Sequence, residues 1–192
     1  MVSREAGYEG FLRVDRLRIR HRLFEGGVSD VIPRELLVRP MAVGVLLYDP
    51  VQDAVVMVRQ VRIGLIDEQQ SPWILELVAG MVDTDESPEQ VARRECEEEA
   101  NCTPGQLEKV SDYFNSPGVS NERVIIYCGQ VDSTQAGGVF GLAHEHEDIA
   151  VEVIPLGQAL AALEDGAINN AMSIIALQWL ALNKGDLKAR WA

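Results

Sequence analysis

The sequence predicts an α+β fold, or an α/β/α sandwich, in which strands outnumber helices. Three observations lead there. Short continuous apolar runs of strand length recur along the chain. One acidic segment carries complete helix start and stop signals, and one long segment near the C-terminus is apolar around most of its girth. The N-terminal stretch differs in composition from the rest and reads as a small antiparallel strand subdomain at 1–39, ahead of a main domain at 40–192.

The elements follow in order. FLRVDRLRIRHRLF (11–24) nearly alternates apolar and basic residues and predicts an exposed strand. Gly26 and Gly27 make the turn, and VSDVIPRELLV returns as a second strand. Pro33 restricts that strand to an edge or a broken ladder, because proline has no N–H to donate. A lone two-stranded hairpin is marginal in water, so this one needs something to pack on. MAVGVLLY (41–48) and AVVMVRQV (54–61) predict strands buried on both faces, joined across the turn sequence DPVQD. WILELVA (73–79) predicts another strand, and GMVDTDE a loop into a helix. Ser87 is a good N-cap for that helix, Pro88 suits its first turn, and Gln90 completes a capping box. The helix should run to about Ala100, where Asn101 takes the left-handed position that ends it. Strands are expected at about 107–114, 123–131 and 149–154, the last two separated by a long polar loop that includes GGVFGLAHEHED. LGQALAALEDG (156–166) predicts a short helix, and INNAMSIIALQWLALNK (168–184) a largely buried one. Trp73 and Trp179 are assigned to the core.

Charge and cysteine content narrow the function classes. The chain carries 30 Asp and Glu against 17 Lys and Arg among 192 residues, a net charge of -13. That excess argues against nucleic acid or an anionic membrane as the main partner. An anionic substrate would need metal ions or a few placed arginines. Cys96, Cys102 and Cys128 are odd in number and form no Cys-x-x-Cys, which disfavours a disulfide framework and fits a reducing cytosol. Cys96 and Cys102 read as small core residues rather than nucleophiles. MVSREAGYEGF lacks an apolar signal core, and no apolar run reaches the roughly 18 residues of a membrane span.

The segment VARRECEEEANC (91–102) carries the chemistry. Helical geometry places Glu95, Glu98 and Glu99 on one face, where like charges repel by roughly 0.2–0.5 kcal/mol per exposed pair. Either water screens them or a cation sits there. Upstream, Gly80 is followed by five residues and Glu86, then by seven residues and Arg94-Glu95. Cys96, one residue, Glu98-Glu99, one residue, Asn101 and Cys102 complete the pattern. This arrangement over 80–102 resembles the Nudix box, departing only where Asn101 replaces the usual glycine. Asparagine is the second choice for a left-handed helix end, so the departure keeps the geometry. A calcium loop starting at Asp83 is excluded, because Pro88 and Arg94 stand where glycine and glutamate are required. HEHED offers too few ligands for zinc and no HExxH.

The Nudix resemblance implies a mixed sheet sandwiched between helices and a hydrolase of nucleoside diphosphates linked to another group. It implies Mg²⁺, or alternatively Mn²⁺, with more than one ion per site. Glu95 and Glu99 would be ligands together with the backbone carbonyl of Ala79, Glu98 lies beside them, and Arg94 holds the acids by ion pairing. Within the family the chain most resembles the bacterial ADP-ribose pyrophosphatase branch, from about Gly10 to Trp191. GLAHEHED (141–148) is similar to that branch's GLAxExED loop, which makes Glu145 the candidate catalytic base and Glu147 a further metal ligand. NSPGVSNER (115–123) resembles its specificity loop, with Pro117 falling 15 residues after the box. Arg62 and Arg34 are candidates to clamp phosphate oxygens, with structural ion pairing or solubility as the alternative. Glu122 is a candidate for a sugar hydroxyl. Phe11 is a candidate to stack on adenine, with packing on its strand partner as the alternative.

The branch consists of homodimers whose N-terminal strands reach to the partner, which would suit the basic hairpin. The implied activity is cytosolic, Mg²⁺-dependent cleavage of ADP-ribose to AMP and ribose 5-phosphate. The alternatives are a hydrolase of another nucleotide sugar such as GDP-mannose, or a non-catalytic ADP-ribose sensor. Retention of all the box acids disfavours the sensor.

Overall fold

The N-terminal sheet has three antiparallel strands rather than two, in the order β1 (Ser3–Glu9), β2 (Arg13–Ile19), β3 (Ile32–Val38). The extra strand, SREAGYE, is exposed along its whole length and so has no burial pattern to betray it. The computed structural model describes residues 1–69, 71–83 and 85–191. It divides into two units, Met1–Met41 with Tyr113–Val124, and Ala42–Asp112 with Ile125–Ala192.

In the first unit β2 is shorter than the 11–24 expected, and β3 is an edge strand, as Pro33 requires. Gly26 and Gly27, at φ 93° and 81°, form the tip of the hairpin between β2 and β3. The sheet buries one side chain of β2, Asp15, which accepts from Arg13 Nε at 2.8 Å and pairs with Arg4. Those guanidinium groups, Arg13 foremost, hold its carboxyl below the usual range. Residues 115–122 dock along β3. Leu37 N–H donates to Val119 O at 2.8 Å, and Ser120 Oγ donates to Leu37 O at 3.1 Å.

The second unit is built on one eight-stranded sheet. Its strands are β4 (Met41–Asp49), β5 (Ala54–Val61), β6 (Trp73–Glu76), β7 (Val78–Val82), β8 (Leu107–Phe114), β9 (Arg123–Gln130), β10 (Gly138–Phe140) and β11 (Ile149–Pro155). The order is β10-β11-β5-β4-β9-β8, with β6 also on β5 and β7 on β4. The apolar runs of β4 and β5 are buried on both faces, from Val43 to Tyr48 and from Ala54 to Val58 apart from Gly44's missing side chain. Asp49 shapes the turn between them by accepting from Val51 N–H at 2.8 Å and Gln52 N–H at 2.9 Å.

Three helices pack with the sheet: α1 (Pro88–Ala100), α2 (Leu156–Glu164) and α3 (Ala171–Arg190). α1 packs on β7, and α2 on α3 and β11. Met172 of α3 lies over Gly44, where an added Cβ would meet its sulfur at 3.1 Å. Among the described residues no helix is long and apolar enough to cross a membrane.

Several expectations need correction. WILELVA is two strands, because β6 pairs with the second half of β5 whereas β7 pairs with β4. Trp73 is 42% exposed, not core; it pairs with Val61 at the outer end of the β5–β6 ladder. Trp179 is only half-buried, since α3 buries a stripe (Ser173, Ala176, Leu177, Leu180, Leu187) and not its full girth. The long loop before β11 contains β10, antiparallel to β11 with Val139 opposite Ala150.

Candidate active site

The site is assembled where β7 runs into α1. The local sequence dictates this geometry. Ser87 caps α1 by accepting from Gln90 N–H at 3.3 Å, while Gln90 Oε1 accepts from Ser87 N–H at 2.8 Å. At the other end Asn101 adopts φ 49°, ψ 37°, and its N–H closes onto Glu97 O at 3.1 Å. The cap satisfies helix-end groups that would otherwise be unpaired. Val91, Ala92, Cys96 and Ala100 bury one face of α1, which sets Glu95, Glu98 and Glu99 on a neighbouring stripe.

Arg94 organises the acids. Its Nε donates to Glu86 at 3.2 Å, and its Nη1 lies 2.7 Å from Glu98 Oε2 and 2.9 Å from Glu95 Oε1. Burial alone would lower the Arg94 pKa, but Glu95 and Glu98 outweigh it and hold the group above its ordinary value. A single planar fork thus links three carboxylates of the box. Glu95 lies flat against Gly80. A Cβ at position 80 would stand 2.0 Å from Glu95 Oε1, so only glycine leaves room for this carboxylate.

Glu99 is 3% exposed, and its Oε2 accepts from Ala79 N–H at 3.0 Å. This bond ties the last turn of α1 to the strand residue whose carbonyl is a candidate ligand. Burial pushes Glu99 up to about 8, Ala79 N–H pulls the other way, and the charges of Glu95 and Glu147 add to the rise. Glu95 is likewise pushed up to about 7 by burial, against Arg94 and with Glu98 and Glu147. These are buried, crowded carboxyls that Arg94 does not fully compensate, so each keeps its proton to an unusually high pH. An all-oxygen donor set of that kind suits a hard divalent cation. Among the described residues no three Asp, Glu, His or Cys side chains are gathered tightly enough to enclose an ion.

The loop ahead of β11 delivers its two glutamates differently. Glu147 acts electrostatically on both Glu95 and Glu99, and its Oε2 accepts from Leu142 N–H at 2.9 Å. Gly141 permits that curl, with φ 107° and a Cβ position only 2.6 Å from Glu147 Cβ. Glu145 is exposed instead, with 56% of its side chain accessible and His144 Nε2 at 3.7 Å.

Arg62 belongs to the same cluster, since its charge acts on Glu99. Its Nε donates to Glu76 Oε1 at 2.5 Å. The sequence marks Glu76 only as a single acid in the otherwise apolar WILELVA. It is 4% exposed, and burial raises its pKa against the pull of Arg62.

The remaining candidates lie in the other unit. Glu122 accepts from Asn115 Nδ2 at 2.7 Å and pairs with Arg39 at 3.5 Å. Arg34 is exposed on β3, with Nη1 donating to Pro33 O at 2.8 Å. Pro117 sits in an exposed turn closed by Val119 N–H on Ser116 O. Phe11 lies in the connection between β1 and β2 and is 93% exposed, so it does not pack on a strand partner.

Comparison with known proteins agrees with this geometry. The chain is 46% identical over 192 residues to an ADP-ribose pyrophosphatase of Escherichia coli (strain K12), covering 100% of this chain and 92% of the relative. An ADP-ribose pyrophosphatase of Haemophilus influenzae is also 46% identical, over 194 residues, covering 100% of this chain and 89% of the relative. A GDP-mannose pyrophosphatase of Pectobacterium atrosepticum is 35% identical over 158 residues, covering 80% of this chain and 78% of the relative. In fold the chain matches a crystal structure described as an ADP compounds hydrolase, with a TM-score of 0.72 at 22% identity over 96% of this chain and 94% of that one. A family model of the NUDIX domain matches residues 38–176. With the box acids, their arginine and the Gly80–Glu95 contact all in place, the chain belongs to the Nudix family.

Proposed function

We propose that this protein hydrolyses the diphosphate bond of ADP-ribose to AMP and ribose 5-phosphate, with Mg²⁺ as cofactor. The observation that carries the reading is the buried, under-neutralised acid cluster of Glu95 and Glu99, with Glu147 beside it, on a chain matched along its whole length by ADP-ribose pyrophosphatases.

Glu95, Glu99, Glu147 and the Ala79 carbonyl are the groups proposed to hold the metal, more than one ion being accommodated. Mg²⁺ held by these groups, for which Mn²⁺ is an alternative, would supply the charge to neutralise diphosphate oxygens and lower the pKa of a water. Arg94 keeps Glu86, Glu95 and Glu98 in register by the contacts given above. Arg62 offers a guanidinium fork to phosphate oxygens, which matches their geometry better than a point charge. Water adds to phosphorus, the diphosphate bond breaks, and the proton passes to Glu145, whose exposed loop position lets it close over bound substrate. The substrate-binding roles proposed for Arg34, Glu122, Phe11 and Pro117 rest on the family resemblance.

We place the protein in the cytosol, where its three free cysteines stay reduced. We also infer a homodimer formed through the N-terminal strands. In support, β1 is exposed throughout, and Phe11, Phe24 and Val28 are 93%, 111% and 61% exposed. Such a sheet has little core of its own and is marginal without a partner. No nucleic acid or membrane is expected to bind.

The test is to incubate the protein with ADP-ribose, GDP-mannose and NADH, with Mg²⁺ and with chelator, and to resolve the products. Chelator-sensitive release of AMP and ribose 5-phosphate from ADP-ribose in preference to the others is the expected result. Preference for GDP-mannose would keep the class and discard the substrate. Tight ADP-ribose binding with no cleavage would make the protein a sensor.

A further inference from the structure

Glu76 is a buried acid for which the reaction as read from the box has no use. It sits on β6, opposite Val58 of β5, three residues before Ala79. A buried carboxylate persists in an apolar layer only when it is paired. Among the described residues it pairs with Arg62, at 2.5 Å. The pair is asymmetric. Glu76 has 6% of its side chain exposed and is anchored in a ladder, whereas Arg62 has 43% exposed and lies just past the end of β5.

The contact uses Nε of the guanidinium. The terminal nitrogens Nη1 and Nη2 have no hydrogen-bond partner among the described residues, so their four N–H donors remain open. Arg62 is also close enough to act on Glu99. An arginine held by one edge, with its other edge open and beside the metal-type acids, is arranged to receive an anion.

We propose that Glu76 is a positioning residue for substrate binding, fixing Arg62 by its Nε edge so that both terminal nitrogens face the diphosphate. The inference rests on the diphosphate-hydrolase reading above. A free arginine would have to give up rotamer freedom on binding, and the buried anchor removes that cost before substrate arrives. Because the clamp acts on the diphosphate before and during reaction alike, its loss raises KM and leaves kcat nearly unchanged.

The experiment is a double-mutant cycle on the full chain with ADP-ribose and Mg²⁺, using Glu76→Gln, Arg62→Ala and the double variant. Thermal melting by circular dichroism checks each fold. Glu76→Gln should raise KM about tenfold, the scale of one charge-assisted hydrogen bond, with kcat within about twofold. In the Arg62→Ala background the same change should add nothing further. If Glu76→Gln does not fold, Glu76→Met leaves no buried polar atom and carries the same comparison. An unchanged KM, or KM effects that multiply in the double variant, overturns the inference and leaves the hydrolase standing. Calorimetric titration with ADP-ribose in chelator separates the two ideas. If the native chain binds in chelator and still does not cleave once Mg²⁺ is supplied, the hydrolase reading falls, and the inference stands only if Glu76→Gln weakens binding about tenfold. Neither binding nor cleavage by the native chain overturns both.

Discussion

Gly80→Ala tests the geometry of the site at its tightest point. The φ angle at position 80 is not in the left-handed range, so alanine suits the backbone there. The new Cβ, however, would lie 2.0 Å from Glu95 Oε1, 2.1 Å from Cδ and 2.4 Å from Cγ, where ordinary contact begins at 3.4 Å. The neighbour that must give is a side chain rather than backbone, so Glu95 is displaced by more than an ångström while the strand stays put. Misplacing a reactive group by about 1 Å costs on the order of 100-fold in rate, or about 2.7 kcal/mol. Overpacking of this size costs stability only about 1 kcal/mol, a drop in melting temperature of roughly 2–4 °C for a chain this long. Steady-state turnover of ADP-ribose and a thermal melt measure both. The expected result is a loss of about two decades in kcat with a small shift in melting. Turnover within about threefold of native, with the melt unchanged, would refute the placement of Glu95 against Gly80 as the geometry that matters.

Glu99→Gln preserves the acceptor for Ala79 N–H while removing the charge, so kcat should fall at least about 100-fold, with the melt in chelator no lower than native; near-native turnover would remove Glu99 from the metal set. Asn101→Ala forces a Cβ-bearing residue without asparagine's local bonding into φ 49° and should cost about 1 kcal/mol by urea unfolding, whereas Asn101→Gly should be neutral or slightly stabilising. Asp53, held down to about 2 by Tyr48 and then Lys184, contributes stability that is present above its unfolded value and lost as pH falls through the folded one. Because its side chain is 43% exposed, the contribution is discounted to about 1 kcal/mol. Asp53→Asn keeps the left-handed backbone, so the stability gap between native and variant should be open at pH 6 and close between about pH 4 and 2; a gap independent of pH would refute the account of Asp53 as a carboxylate stabilised by Tyr48 and Lys184.

The helix of the box was legible residue by residue, because caps, like-charge spacing and the left-handed stop all act within a few positions of one another. Ser87, Gln90 and Asn101 do in the structure what their side-chain chemistry requires of them. Strands β4 and β5 were legible for a related reason, since burial on both faces demands continuous apolar runs. β1 was not, because SREAGYE is exposed on both faces and carries no apolar alternation. Nor was the fate of Trp73, whose exposure depends on how far the β5–β6 ladder extends rather than on its own hydrophobicity.

The site divides along the same line. By itself the sequence determined which acids share a helix face, and through the box pattern the family to which the chain belongs. Only the tertiary structure decided that Glu147 lies near enough to act on those acids while Glu145 is exposed, and that Arg62 is anchored by Glu76, 14 positions along the chain. The physical reason is range. Capping and charge crowding act over one helical turn, whereas the meeting of Arg62, Glu76, Glu99 and Glu147 depends on strand register, which brings together residues that no local spacing relates.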